Sequence, residues 1–356
     1  LKKHFSDSEI ATARNLSISV EIEIEDVQAY YANENTKRIA ELAPENTVCN
    51  NTPIDYTTPF NFTTGSMAGY FTYAEMLEQL DNMRAARPDL ISGRADVGNV
   101  LTLEGRALQW TKITKNPESI NTRPQILYTA VHHAREPISL SETIFYMWYL
   151  IENYDTNDEV KYIVDNAELY FIPVVNPDGY VYNYTTNPGG FGMWRKNRHN
   201  FNGVYGVDNN RNYDYWIDGN STQSIWNTLG VSAEIDGQTY PGTAAFSEAE
   251  NQAVKSFVED HQFKVAINAH THGDLLLYPF GYDLNVPSPD DAYYKKISGL
   301  MVSNNNLTNQ IASALYAASG ASDDFMYGQT IGHEKIFAFT PEVGPSFWPP
   351  ASQIIP

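Results

Sequence analysis

Between Gly69 and the C-terminus, short apolar runs alternate with helix-period segments, several of which open on Ser/Thr-x-x-Glu. No other feature of the chain constrains its fold as much. Strands interleaved with helices give an α/β domain, with helices covering both faces of a largely buried sheet. Strand-like runs lie at 97–103, 107–114, 125–131, 168–175, 264–269, 274–278 and 335–340. Thr72-x-x-Glu75 predicts a capping box opening a helix to about Ala86, with Pro88 as its stop. Ser139-x-x-Glu142 and Ser247-x-x-Glu250 predict helices to about Tyr154 and about His261, and two more fit 291–303 and 308–317. Residues 181–245 are polar, rich in Gly, Asn and Tyr, and poorly periodic. Loops that long inside a compact domain are usually functional.

Upstream, residues 1–40 are charge-rich, with a β-like alternation from Ile18 to Ile24 and a helical stretch from Asp26 to about Ala40. Residues 41–66 accumulate Thr, Asn and Pro and read as a linker. The chain starts at Leu1 without a charged-then-apolar leader, which fits a fragment whose signal peptide is missing. Its 356 residues, 42% of them hydrophobic, can bury one large core. No apolar run approaches the roughly 18 residues that span a membrane. The net charge of −20 argues against nucleic acid or anionic lipid as a partner, because phosphates need a basic stripe. Acidity favours cationic substrates, although solubility accounts for most of it. Cys49 is the one cysteine, so no intramolecular disulfide forms. Asn-x-Ser/Thr triplets at Asn15, Asn50, Asn61, Asn183, Asn220 and Asn306 are weak signals in an Asn/Thr-rich chain.

Residues 131–137, Val-His-His-Ala-Arg-Glu-Pro, put polar chemistry between two apolar runs. In a helical turn, positions i and i+3 share a face, so His133 and Glu136 reach one ion. Zinc takes nitrogen and carboxylate donors, and a catalytic zinc keeps one position open. Two ligands are not a site, and an isolated His-x-x-Glu is more often a surface pair or a satisfied core histidine. His132 is one residue off and reads as packing or support. A third ligand belongs at the C-terminal end of another strand, where open α/β sheets build their sites. Lys264 to His270 fits that description, with His272 as a competitor. His4, His199, His261 and His333 lie in polar or helical contexts and read as surface.

HARE (133–136), NPDGY (176–180), MWRKNR (193–198), GVDNNRN (206–212), LLLYPFGY (275–282), LYAASGASDDF (315–325) and FAFTPE (337–342) occur in this order. The ordered set resembles the zinc metallocarboxypeptidases related to pancreatic carboxypeptidases A and B, over roughly residues 67–356. The resemblance implies a three-layer αβα sandwich on a mixed, mostly parallel, roughly eight-stranded twisted sheet. It implies one Zn2+ per chain held by His133, Glu136 and His270, with Glu342 as general base. It makes Arg195 the arginine that stabilises the oxyanion, and Asn210 and Arg211 the pair gripping the substrate's C-terminal carboxylate. A planar guanidinium suits that grip, since it binds carboxylate bidentately. Tyr316 matches the mobile tyrosine that closes over that carboxylate, Arg135 an arginine lining the groove, and Asp208 a carboxylate orienting a ligand imidazole. Pro341 departs from the family, which commonly has an aromatic residue before the general base.

Asp323 matches the floor of the pocket for the terminal side chain, where aspartate goes with Lys and Arg and an apolar residue with apolar side chains. Ile311 and Ala318 also fall at pocket-lining positions, so dual or apolar specificity is the alternative. Leu16 to Glu34 resembles the C-terminal part of the family's inhibitory pro-segment. The implied organisation is a partial pro-segment (1–40), a linker and activation segment (41–66) and a catalytic domain (67–356) lacking the family's final helix. That makes a secreted, extracellular or periplasmic monomeric zymogen, with an activating protease and peptide or protein C-termini as partners. Two other readings compete: an amidase or acyl-amino-acid hydrolase on the same fold, and a catalytically dead binding module. Asn210, Arg211 and Tyr316 argue against the first, and the intact His133, Glu136, His270, Arg195 and Glu342 against the second.

Overall fold

The computed structural model describes residues 7–22, 57–217, 222–284, 286–329 and 331–354. Helix α1 (Asp7–Asn15) comes first and was not expected. Residues 18–22 of the alternating stretch belong to no strand, and Leu16 and Ile18 are exposed. Alternation stabilises a strand only when one face is buried against a partner, which is missing here among the described residues. The remainder of that stretch, the expected helix at 26–40 and residues 41–56 lie outside the described residues. The last part of the expected linker packs on the body. Phe62 meets Phe71 and Phe145 edge-on at 5.9 and 5.2 Å, and Glu152 accepts from the Phe60 and Asn61 N–H groups.

Helix α2 (Tyr73–Ala86) opens on the expected capping box. The Thr72 hydroxyl accepts from Glu75 N–H at 3.2 Å, and the Glu75 carboxylate accepts from Thr72 N–H at 2.7 Å. Strands β1 (Ala95–Asp96), β2 (Gln109–Ile113) and β3 (Gln125–Ala130) follow. Helices α3 (Pro137–Asn153) and α4 (Asp158–Asn166) lead to β4 (Glu168–Ile172) and α5 (Pro177–Thr186). A small hairpin of β5 (Asn200–Phe201) and β6 (Val204–Tyr205) precedes α6 (Ala249–Glu259). The chain closes with β7 (Phe263–Ala269), β8 (Leu275–Tyr278), α7 (Asp291–Met301), β9 (Thr308–Ile311), α8 (Ser322–Gly328) and β10 (Phe337–Glu342).

All strands but β5 and β6 form one eight-stranded sheet in the order β1-β2-β4-β3-β7-β10-β8-β9. The four central strands β4, β3, β7 and β10 are mutually parallel, and antiparallel pairs flank them. This is the expected mixed sheet. Alternate residues of its strands feed two cores. Leu169 and Phe171 pack with α2, α3 and α4 on one face. Leu127, Tyr170, Ile172, Ala266 and Ala338 pack with α6 and α8 on the other. Central parallel strands covered on both sides are the expected three layers. Among the described residues, no helix is long and apolar enough to cross a membrane.

Four local expectations need correction. Residues 97–103 are not a strand but a looped excursion closed by Val97 N–H to Leu108 C=O and Thr102 N–H to Arg106 C=O. Val97 and Val100 reach the core beneath α6 and α8, whereas Leu101 and Leu103 point to solvent, so the run lacks the paired backbone and regular alternation of a strand. Residues 308–317 are not a helix. Thr308–Ile311 instead pairs with β8 in parallel, and a single 3-10 turn, Ala312–Ala314, follows. Two helix starts are displaced. Helix α3 begins at Pro137, since proline's fixed φ and missing N–H suit the first helical position. Ser139 therefore lies inside the helix, donating to Glu136 C=O at 2.7 Å. Helix α6 begins at Ala249, and the Ser247 hydroxyl donates to the Glu248 carboxylate instead of capping.

Candidate active site

The site grows from the C-terminal ends of β3, β7 and β10, which are adjacent and parallel. Beyond β3, Val131 adopts a left-handed φ of 53°, unusual for a β-branched residue. The chain turns there and carries His132 and His133 away from the strand axis. Glu136 is the N-cap of α3, so the helix start fixes the carboxylate. His270 directly follows β7, and Glu342 is the last residue of β10. The two are partners in a parallel bridge, locked by His270 N–H to Pro341 C=O and Val343 N–H to His270 C=O.

His133, Glu136 and His270 are buried and offer three ligand atoms within 4.8 Å of one another. His133 Nδ1 lies 2.7 Å from one Glu136 oxygen, and His270 Nδ1 2.9 Å from the other. The two Nδ1 atoms are 3.1 Å apart. Burial, reinforced by the Arg195 cation, pushes His133 down to about 4 and His270 down to about 3. Both imidazoles are therefore neutral at neutral pH, with lone pairs free for a metal. Two imidazoles and one carboxylate match the donor set of a catalytic zinc. The competitor His272 stacks edge-on against Phe347 and is absent from this cluster.

A fully buried Asp208 ties the cluster to its surroundings. One oxygen faces His133 Nε2 at 3.1 Å, and the other accepts from Arg195 Nε and Nη2 at 3.0 and 2.7 Å. Burial alone would raise the Asp208 pKa, but Arg195 and His133 hold it well below the carboxylate range. Asp208 also caps the 3-10 turn Asn209–Arg211 through Asn210 N–H, which aims the next two residues. Asn210 Nδ2 approaches His270 Nε2 at 3.3 Å, and its Oδ1 accepts from Ser322 N–H. Arg211 donates to its neighbour's carbonyl, with the Tyr316 ring centroid 5.9 Å from its guanidinium. Arg135 lies at the rim, its guanidinium 4.3 Å from the Phe347 ring centroid.

Burial, then the Glu136 carboxylate, pushes Glu342 well above the ordinary carboxylate range. Asp323 sits below the cluster. Its oxygens accept from Asn268 Nδ2 and the Thr340 hydroxyl, both at 2.6 Å. Burial still raises it to about 6, and raises the neighbouring Asp324 to about 7. Among the described residues, neither aspartate forms an ion pair with a lysine or arginine.

The site thus brings together His133, Glu136, His270, Asp208, Arg195, Asn210, Arg211 and Glu342, with Tyr316 and Arg135 near the rim and Asp323 beneath. Asn268 and Thr340 were not anticipated. Strand periodicity carries the signal for both, since each lies two residues before His270 or Glu342 and so shares its face. His132 does prove to be packed within the site. It is fully buried against His270, with Tyr213 as its hydrogen-bond partner.

The zinc carboxypeptidase family model matches residues 76–356. Zinc carboxypeptidase A 1 of Drosophila melanogaster is 33% identical over 72% of this chain and 59% of its own length. Carboxypeptidase A1 of Rattus norvegicus is 31% identical over 95% of this chain and 75% of its own. The chain thus spans less than two thirds of the first relative and three quarters of the second. The crystal structure of carboxypeptidase A from Helicoverpa armigera superposes with a TM-score of 0.68, covering 98% of this chain and 81% of that one, at 22% identity. That likeness supports the fold alone. Together with a zinc-competent His-Glu-His cluster at the strand ends, the family match identifies the chain as a metallocarboxypeptidase of the zinc carboxypeptidase family.

Proposed function

We propose that this protein removes single residues from peptide C-termini and prefers terminal Lys or Arg. The observation that carries the exopeptidase reading is the placement of Glu342 on the strand beside His270, with Asn210 and Arg211 at the same edge. Zinc, when held by His133, Glu136 and His270, supplies the Lewis acid that polarises water and the scissile carbonyl. With the Arg195 and Arg211 cations and the charge of a bound metal favouring its anion, Glu342 takes the proton of the attacking water and returns it to the departing amine. Arg195 turns Nε and Nη2 to Asp208, which leaves its Nη1 edge for the developing oxyanion. Asn210 and Arg211 grip the terminal carboxylate, Tyr316 closes over it, and Arg135 lines the groove. Asp323 receives the terminal side chain. A buried pair of acids with no ion-pair partner among the described residues gains most from a cationic side chain.

Secretion as a zymogen, activated by cleavage within residues 41–66, accompanies this proposal on the strength of the pro-segment resemblance. The test is hydrolysis of one peptide with a free and an amidated C-terminus, with and without chelator. Loss of turnover on amidation, and on zinc removal, is expected. Equal turnover of both forms would overturn the exopeptidase reading in favour of an amidase.

A further inference from the structure

The two ligand imidazoles are supported in different ways. With Nδ1 on the metal, each ring carries a proton on Nε2 that needs an acceptor. For His133 that acceptor is Asp208, at 3.1 Å. For His270 the facing group is the Asn210 amide. Its Oδ1 already accepts from Ser322 N–H at 2.9 Å, so it presents Nδ2, itself a donor, at 3.3 Å. Among the described residues, His270 thus lacks the acceptor that usually fixes the orientation of a zinc-bound imidazole.

A ring occupies that role. His132 stacks on His270 with centroids 5.2 Å apart and planes 19° from parallel. It is fully buried. Its Nε2 is hydrogen-bonded to the Tyr213 hydroxyl at 3.0 Å, while Nδ1 has no hydrogen-bond partner among the described residues. Tyr213 is fixed in turn by stacking on Phe325, with centroids 5.6 Å apart and planes 19° from parallel. A histidine with an orphaned ring nitrogen is a costly way merely to fill space, since an apolar side chain would leave nothing unsatisfied. We infer that His132 is a positioning residue for the metal site, holding the His270 ring in register by stacking, with Tyr213 as its anchor.

The inference rests on His133, Glu136 and His270 being the zinc ligands, and a His133→Ala control tests that assignment separately. Zinc affinity is measured by chelator competition, and melting temperature with and without zinc, on the full chain. His132→Leu is expected to weaken zinc binding about 10- to 100-fold and to shrink the zinc-induced rise in melting temperature. Tyr213→Phe, which removes one hydroxyl, weakens it by less and serves if His132→Leu does not fold. The double variant His132→Phe/Tyr213→Phe keeps the ring and drops both polar partners, so it stays within about threefold of the parent. Parental zinc affinity in both His132→Leu and Tyr213→Phe, while His133→Ala loses zinc, would overturn the inference. Parental affinity in His133→Ala would overturn the ligand assignment and the inference with it.

Discussion

Asp323 should lose its charge, and with it the proposed preference for basic residues should fade, as pH falls from 7 to 5. Burial sets its pKa at about 6 despite the donors Asn268 and Thr340. The ionised fraction then drops from about 0.9 at pH 7 to about 0.1 at pH 5. If only the carboxylate recognises a cation, the ratio of kcat/KM for a Lys-ending peptide to that for a Phe-ending peptide falls about tenfold. A ratio is the right quantity, because the pH dependence of Glu342 and the metal site enters both terms and cancels. The assay is initial rates at several pH values on two peptides differing only in the last residue. Fold stability provides an independent check. The folded pKa lies above the unfolded value of about 3.9, so the stabilisation is fully present below that value and is lost as pH rises through about 6. Asp323→Asn should flatten the specificity ratio and weaken this pH dependence of stability, leaving the share contributed by Asp324. A specificity ratio that stays constant between pH 5 and 7, or changes only near pH 4, would refute the reasoning.

Three further perturbations follow from the geometry. Glu342→Gln should lower kcat by about 10²- to 10⁴-fold with little change in KM, as read by steady-state kinetics. Asp208→Asn strands the buried Arg195 and loosens His133; denaturation should show a loss of about 3–5 kcal/mol, and chelator competition zinc binding weaker by about 10- to 100-fold. At Val131 the usual order of truncations should invert. Val131→Ala loses the buried side chain and keeps the left-handed strain, whereas Val131→Gly relieves strain of order 1–3 kcal/mol. Chemical denaturation should therefore rank the glycine variant at least as stable as the alanine variant.

The central strands and the ligand set were legible because both depend on local pattern. Apolar runs ending in His133 and His270 mark strand ends wherever they pair, and Thr72 with Glu75 caps its helix through neighbours three residues apart. The failures occurred where tertiary context decides. Thr308–Ile311 is a strand only because the edge of β8 is open to it. Ser139 gave up its cap because Pro137 starts the helix two residues earlier. The clamp on Asp323, a residue of α8, draws on Asn268 and Thr340 from two separate strands, and the stack of His132 on His270 joins residues that no spacing rule connects.

The pairing of His270 with Glu342 also bears on the order of events during folding. The two Nδ1 atoms that approach one another belong to residues 137 positions apart, and Glu342, the proposed base, comes from a strand later still. No local segment holds even two thirds of the donor triangle together with the base. The long chain closures that zip β3 to β7 and β7 to β10 must come first, and such non-local pairings are the slow steps of folding. Metal capture is therefore a clock for the completion of the central sheet: a chain that has collapsed but not registered its middle strands has no site to fill.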